Sequence, residues 1–232
     1  ITIPAGEISS TVFDWFLITA DADAVPGNIQ CTVTMTAGTD EYPYQEQETI
    51  NLDLTLSQFG FPLDGIVVKS SPIVADLDND GVKEIYFGSD NEALHGYNSF
   101  GEEIDGFPFQ STDRVRSSPA VGDVDNDGQM EIVFGNSSGK LYIVNHDGSQ
   151  QLAYTILGFI EGTSALVDID GDQDLEIVFT TTTTSGGQLY AIHHNGITMS
   201  GFPKELGSMW TGPAVHDIDN DGAYDIVCTT YD

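Results

Sequence analysis

Four stretches of the chain carry oxygen ligands at a spacing that suits a hard divalent cation. The first is Asp76-Leu77-Asp78-Asn79-Asp80-Gly81-Val82-Lys83-Glu84, and the second is Asp123-Val124-Asp125-Asn126-Asp127-Gly128-Gln129-Met130-Glu131. Asp168-Ile169-Asp170-Gly171-Asp172-Gln173-Asp174-Leu175-Glu176 and Asp217-Ile218-Asp219-Asn220-Asp221-Gly222-Ala223-Tyr224-Asp225 complete the set. Calcium takes six to eight oxygens, and carboxylates at loop positions 1, 3 and 5 converge on one ion when the backbone turns sharply at position 6, which glycine permits. The backbone carbonyl of position 7 (Val82, Gln129, Asp174, Ala223) would add an oxygen, and the acid at position 9 (Glu84, Glu131, Glu176, Asp225) would close the shell. The expectation is up to four Ca2+, one per loop. An acidic hairpin turn without metal is the competing reading. It is disfavoured because carboxylates packed this closely repel one another.

An EF-hand would need a bidentate Glu at position 12 and helices on either side. Position 12 is Phe87, Phe134, Phe179 and Cys228 instead. The runs that leave the loops, Glu-Ile-Tyr-Phe-Gly, Glu-Ile-Val-Phe-Gly, Glu-Ile-Val-Phe-Thr and Asp-Ile-Val-Cys-Thr, are short, β-branched and aromatic, which reads as strand. In the third loop Gln173 stands where glycine is expected, and Gly171 falls earlier.

The elements that must hold these loops recur with them. Successive first aspartates are 47, 45 and 49 residues apart, a period that marks an internal repeat. Each unit enters through small residues and proline (Ser70-Ser71-Pro72, Ser117-Ser118-Pro119, Thr163-Ser164-Ala165, Thr211-Gly212-Pro213). A first strand such as Ile73-Val74-Ala75 leads into the acidic loop, and a second leaves it. A third follows as Ala93 to Tyr97, Lys140 to Val144 or Gln188 to Ile192. Glycine turns at Gly101, Gly148 and Gly196 then signal a hairpin. The fourth strand is expected to end in Asp105-Gly106-Phe107-Pro108, Leu157-Gly158-Phe159-Ile160 or Ser200-Gly201-Phe202-Pro203. Four antiparallel strands in ~45 residues describe a β-propeller blade.

With Phe87-Gly88, Phe134-Gly135 and the Ser-Ser-Pro-x-Val entry before the first two loops, residues 58 to 232 resemble the FG-GAP or VCBS repeat family, calcium-bearing propellers of integrin alpha subunits and many secreted bacterial proteins. The resemblance implies an all-β fold: a partial β-propeller with repeats near 66–110, 111–160, 161–204 and 205–232, the last incomplete. Remaining blades of the same ring are expected outside this chain. Phe59-Gly60-Phe61-Pro62 is expected to supply an outer strand that closes the ring.

Residues 1–56 read as strands of a sandwich, half of such a domain: the run around Thr11 to Ile18, the alternation Ile29, Cys31, Val33, Met35, and a second alternation Ile50, Leu52, Leu54, Leu56, with a turn over Asp40 to Tyr44. On Ile3-Pro4-Ala5-Gly6-Glu7, the Phe13 to Ile18 run and Pro26-Gly27, this segment resembles the closing half of an immunoglobulin-like domain of large secreted bacterial proteins.

Composition narrows the function. The 232 residues carry 37 acidic and 6 basic side chains, a formal charge of −31, and 17 of the acids lie in the four loops. Four bound divalent ions would bring −31 to −23. So few cations disfavour nucleic acid, where phosphate neutralisation dominates affinity, and no apolar run is long enough to cross a bilayer. Cys31 and Cys228 form no disulfide framework.

There is no nucleophile elbow, no His-Glu-x-x-His and no phosphate-binding glycine loop. His193-His194 reads as a solvated pair before a turn, and His216 as the end of a strand. Lys69, Arg116 and Trp210, just before the first strands of their blades, are candidates to touch a ligand at a central channel, and Asn136-Ser137-Ser138 is a formal glycosylation sequon. The expectation is a non-catalytic, calcium-binding module for surface recognition, adhesion or spacing, secreted or on the cell surface, with an unknown protein or glycan ligand. The alternative is an accessory region of a secreted peptidase or polysaccharide-degrading enzyme.

Overall fold

The structure, a computed structural model, describes residues 27–39, 42–54 and 60–231. The chain divides into two compact units, Ile1–Gln58 and Phe59–Asp232. In the first unit, β1 (Gly27–Thr39) and β2 (Tyr42–Leu54) pair antiparallel, with Gly27 opposite Leu54 and Thr39 opposite Tyr42. The alternating segments 29–35 and 50–54 lie inside these strands. β2 begins at Tyr42, inside the expected turn, because Tyr42 and Tyr44 are themselves strand formers. The expected strand at 11–18 and the residues Ile3 to Glu7 and Phe13 to Ile18 on which the immunoglobulin-like resemblance rests lie outside the described residues.

The second unit is all-β and builds four separate antiparallel sheets. The first runs β3 (Ile73–Ala75), β4 (Glu84–Gly88), β5 (Ala93–Tyr97), β6 (Phe109–Gln110) in spatial as well as chain order. The second repeats that order as β7 (Ala120–Gly122), β8 (Glu131–Gly135), β9 (Lys140–Asn145), β10 (Gln150–Thr155). The third does so as β11 (Ala165–Val167), β12 (Glu176–Thr183), β13 (Gly186–Ile192), β14 (Lys204–Leu206). The fourth has two strands among the described residues, β15 (Ala214–His216) and β16 (Asp225–Val227). The first strands of neighbouring sheets, β7, β11 and β15, lie beside one another. This is a partial propeller of blades, with no sheet closed on itself among the described residues.

What joins the blades is aromatic packing and close approaches at glycines. Phe134 stacks on Tyr142 with centroids 5.3 Å apart, and Phe109 of the preceding blade meets both rings edge-on. Phe179 and Tyr190 repeat the stack at 5.0 Å, met by Tyr154. The glycine after each of the first two phenylalanines leaves room for the next blade: a Cβ on Gly88 would stand 2.4 Å from Val115 Cγ1, and one on Gly135 would stand 2.1 Å from Ile160 Cγ2. Those partners belong to two-residue staples. Val115 N–H donates to Ser89 of the first blade while Arg114 carbonyl accepts from Ser137 of the second. Ile160 and Phe159 bond Asn136 and Thr182 in the same way. The entry serines lock the glycines further, for Ser70 Oγ both donates to the Gly88 carbonyl (2.9 Å) and accepts from its N–H (2.8 Å). Ser117 does the same for Gly135 at 2.9 and 2.7 Å.

These contacts correct the expected ends of the fourth strands. Gly106-Phe107-Pro108 and Gly201-Phe202-Pro203 lead into β6 and β14 instead of ending them. Gly106, at φ 86°, lies where a Cβ would be 2.1 Å from the Asp147 carbonyl, so the segment is a turn seated on the next blade's hairpin. Gly60 approaches Phe100 and Gly101 in the same manner. Leu157 to Ile160 is not a counterpart of these turns. It follows β10 and carries the staple between the second and third blades.

Removing the Ser117 hydroxyl orphans two backbone groups of Gly135, so Ser117→Ala is expected to lose about 1–3 kcal/mol. Gly135→Ala should lose at least as much by forcing Ile160 out of place. Urea denaturation of both variants measures this, and unchanged midpoints would remove the staple from the account.

Candidate metal centre

Each acidic loop joins the first strand of a blade to its second, so β pairing on both sides fixes where the loop starts and ends. Position 4 is left-handed in all four loops, at Asn79 (φ 58°), Asn126 (56°), Gly171 (81°) and Asn220 (60°). Position 6 is left-handed too, at Gly81 (89°), Gly128 (91°), Gln173 (82°) and Gly222 (90°). Asparagine and glycine tolerate that region best. The third loop therefore keeps the same backbone path with its glycine moved to the other left-handed position.

The carboxylates shape the loops from within. The position 1 carboxylate accepts the position 6 N–H in every loop, at 3.0 Å for Asp76, 3.0 Å for Asp123, 3.1 Å for Asp168 and 2.9 Å for Asp217. Position 5 accepts from position 7: Asp80 from Val82 (2.7 Å), Asp127 from Gln129 (2.8 Å), Asp172 from Asp174 (3.0 Å) and Asp221 from Ala223 (2.8 Å). Position 9 reaches back to the N–H of position 2, as Glu131 to Val124 (2.9 Å), Glu176 to Ile169 (2.7 Å) and Asp225 to Ile218 (3.0 Å). Glu84 bonds Leu77 likewise.

Carboxylate oxygens within each loop also converge. Ligand atoms within 4.8 Å of one another come from Asp76, Asp78 and Glu84 in the first loop, and from Asp123, Asp125 and Asp127 in the second. Asp168, Asp170 and Glu176 meet in the third, and Asp217, Asp219 and Asp221 in the fourth. Asp80, Glu131, Asp172 and Asp225 lie outside these triplets, Asp172 meeting Asp170 and His193 instead. Asp174 turns to His194, its Oδ2 3.1 Å from Nε2. Asp76 Oδ1 and Asp125 Oδ1 are buried without any hydrogen-bond partner. Buried charged oxygens left unpaired are costly, and hard oxygen donors aimed at one point suit a hard divalent cation.

Two of the position 9 acids feel the crowding. Burial first, then Asp125, Asp127 and Asp123, push the Glu131 carboxyl up to about 7 against the opposing Val124 N–H bond. Burial and Asp78 raise Glu84 in the same direction.

Side chains outside the loops also reach them. Gln151, on β10, donates from Nε2 to Asp125 Oδ2 at 2.8 Å. His193 and His194 are not simply solvated: His193 Nδ1 lies 3.0 Å from Glu176 Oε1, and a ring nitrogen of His193 clusters with Asp170 and Asp172. Only the register of β12 with β13 reveals this, because it pairs Ile177 with Ile192 and so brings the next residue, His193, beside Glu176. Asn136 is fully buried, its amide donating to Ser111 and Thr112 and accepting from Ser138 and Lys140, so the sequon is closed to glycosylation. Arg116 is held by Asp90 at 2.8 Å, and Lys69 approaches the same carboxylate at 3.8 Å, whereas Trp210 is 52% exposed.

Three overlapping segments, 76–134, 123–179 and 168–228, match the profile of the FG-GAP-like repeat, and together they cover more than half of the chain. The chain belongs to the FG-GAP-like repeat family. Each FG-GAP-like match runs from the first aspartate of one loop to position 12 after the next, so the family unit spans the junction between two blades. No curated protein matches the chain. Among solved structures it is similar to Bap1, a biofilm matrix protein of V. cholerae, at TM-score 0.53 and 22% identity over 70% of this chain and 28% of that one. It is also similar to BBS1N, crystallised in complex with ARL6DN, at TM-score 0.51 and 12% identity over 75% of this chain and 50% of that one. At such identities the likeness is one of fold. The chain spans under a third of the biofilm protein and half of BBS1N.

The raised Glu131 carboxyl gives the chelated protein a pH dependence of definite sign. Its folded value of about 7 exceeds the unfolded 4.5, so between these pH values the folded state holds the extra proton. Stability without calcium is expected to fall by of order 2 kcal/mol as pH rises through that window. Glu131→Gln should flatten the fall, as urea midpoints in EGTA across the range would report.

Proposed function

We propose that the FG-GAP-like unit is a calcium-stabilised, non-catalytic module that works outside the cell in surface recognition or adhesion. The observation that carries this reading is the pair of buried, unpartnered carboxylate oxygens on Asp76 and Asp125, set in loops that recur once per blade. A catalytic carboxylate pair is needed once, whereas a structural ion is useful in every blade. All four loops are assigned one Ca2+ each, with the carboxylates of positions 1, 3, 5 and 9 and the position 7 carbonyl as ligands.

Calcium sites of extracellular modules bind in the 0.1–1 mM range and fill at millimolar calcium, which favours a location outside the cell. With Kd about 0.1 mM, each ion would stabilise the fold by roughly 1–1.5 kcal/mol. The loops hold one end of each blade, so occupancy would stiffen the edge from which a protein or glycan ligand is met. The fold shared with a biofilm matrix protein supports the adhesive side of the reading.

Thermal melting in millimolar calcium and in EGTA tests the metal role. Chelation is expected to lower the midpoint by about 10 °C if all four sites fill, and an unmoved midpoint would overturn the assignment. Retention of the calcium-loaded protein on arrayed glycans and cell-surface proteins, lost in EGTA, tests the recognition role. Hydrolysis of the retained ligand by this chain would refute the non-catalytic reading.

A further inference from the structure

The third loop differs from its siblings in ligand chemistry. The residue after the third-strand partner of Ile85, Ile132 and Ile177 is Asn98 in the first blade, Asn145 in the second and His193 in the third, given the registers Ile85 with Tyr97, Ile132 with Val144 and Ile177 with Ile192. The two asparagines turn away from the metal loops to their own hairpins. Asn98 bonds Glu102 at 3.0 Å, and Asn145 bonds Ser149 at 2.9 Å. His193 instead faces the loop. Its Nδ1 is 3.0 Å from Glu176 Oε1, and a ring nitrogen lies within 4.8 Å of ligand oxygens from both Asp170 and Asp172.

Glu176 is completely buried, and its other oxygen is held by the Ile169 N–H at 2.7 Å. Its position is therefore fixed by the sheet. A buried carboxylate that holds one imidazole nitrogen orients the ring and sets its tautomer, the arrangement that accompanies metal-ligating histidines. Where Nδ1 donates to Glu176, Nε2 keeps its lone pair for an ion. Where Nδ1 itself ligates, Glu176 ligates beside it. Both arrangements put one nitrogen among carboxylate oxygens. Imidazole nitrogen is a poor ligand for Ca2+ and a good one for first-row transition ions.

We propose that the third site, which takes Ca2+ as the other loops do when no other ion competes, prefers a first-row divalent transition ion, of the Zn2+ or Co2+ type, whereas the first, second and fourth sites are oxygen-only calcium sites. The proposal rests on the reading of the four loops as divalent-cation sites. His193 is the ligand that distinguishes it, beside Asp170 and Asp172, with Glu176 as either ligand or positioning residue.

Co2+ titrated into the protein in millimolar calcium is the test, followed by its visible d–d absorption. One equivalent is expected to bind with a spectrum showing nitrogen ligation. His193→Asn, which installs the residue found at this register in the other two complete blades, should weaken Co2+ by at least tenfold and leave calcium stoichiometry at the remaining loops intact. His146→Asn, in the second blade's turn, is the control and should change nothing. Co2+ that binds equally well in His193→Asn, or that shows no preference for one site, would overturn the proposal while calcium binding stood. If neither ion binds, the reading of all four loops falls with it.

Discussion

Carboxylates brought within a few ångströms of one another repel, and every blade of this protein is organised around making that closeness tolerable. Part of the solution is internal. Backbone N–H groups of the loop donate to the carboxylates of positions 1, 5 and 9, which spreads their charge and fixes their direction. The remainder is left for a cation, since oxygens of Asp76 and Asp125 stay buried with nothing to bond. The Glu131 carboxyl, raised by burial first and then by the aspartates around it, shows the same problem from the side of the sheet.

The loops are not appendages of the blades but part of the packing between them. Leu77 and Val124, at position 2, are buried in the two larger core clusters. Met130 and Leu175, at position 8 of the following loops, pack against the same two clusters, and the Leu175 N–H donates to the Val124 carbonyl at 3.0 Å. A loop held in shape thus presents one apolar residue to its neighbour and receives another. Ile218 shows the converse: it holds the same position in the fourth blade and is 60% exposed. Burial of position 2 depends on a following blade.

The third blade shows how far the repeat bends while keeping its path. Glycine moves from position 6 to position 4, yet both positions remain left-handed. The entry serine becomes Gly162 and the partner glycine becomes Thr180, whose hydroxyl reaches the Thr211 carbonyl of the next blade at 2.7 Å. A Cβ on Gly162 would collide with Thr211 and Gly212, so the exchange of a small residue for a hydroxyl-bearing one is reciprocal across the strand pair. His193 and His194 enter the same blade and turn toward its loop.

Local chemistry was legible in the amino-acid order alone. The acidic loops, the strands that flank them, the ~45-residue period and the all-β class follow from spacing, glycine placement and β-branched runs, because each is decided within a few residues of chain. Only the folded arrangement showed that Gly88 and Gly135 are there to admit Val115 and Ile160, that the Gly-Phe-Pro turns open the outer strands instead of ending them, and that Asn136 is buried. The same holds for His193, which is 17 residues from Glu176 and meets it only through strand register. Contacts between blades and across strands join residues remote in sequence, and no local pattern encodes which of them will touch.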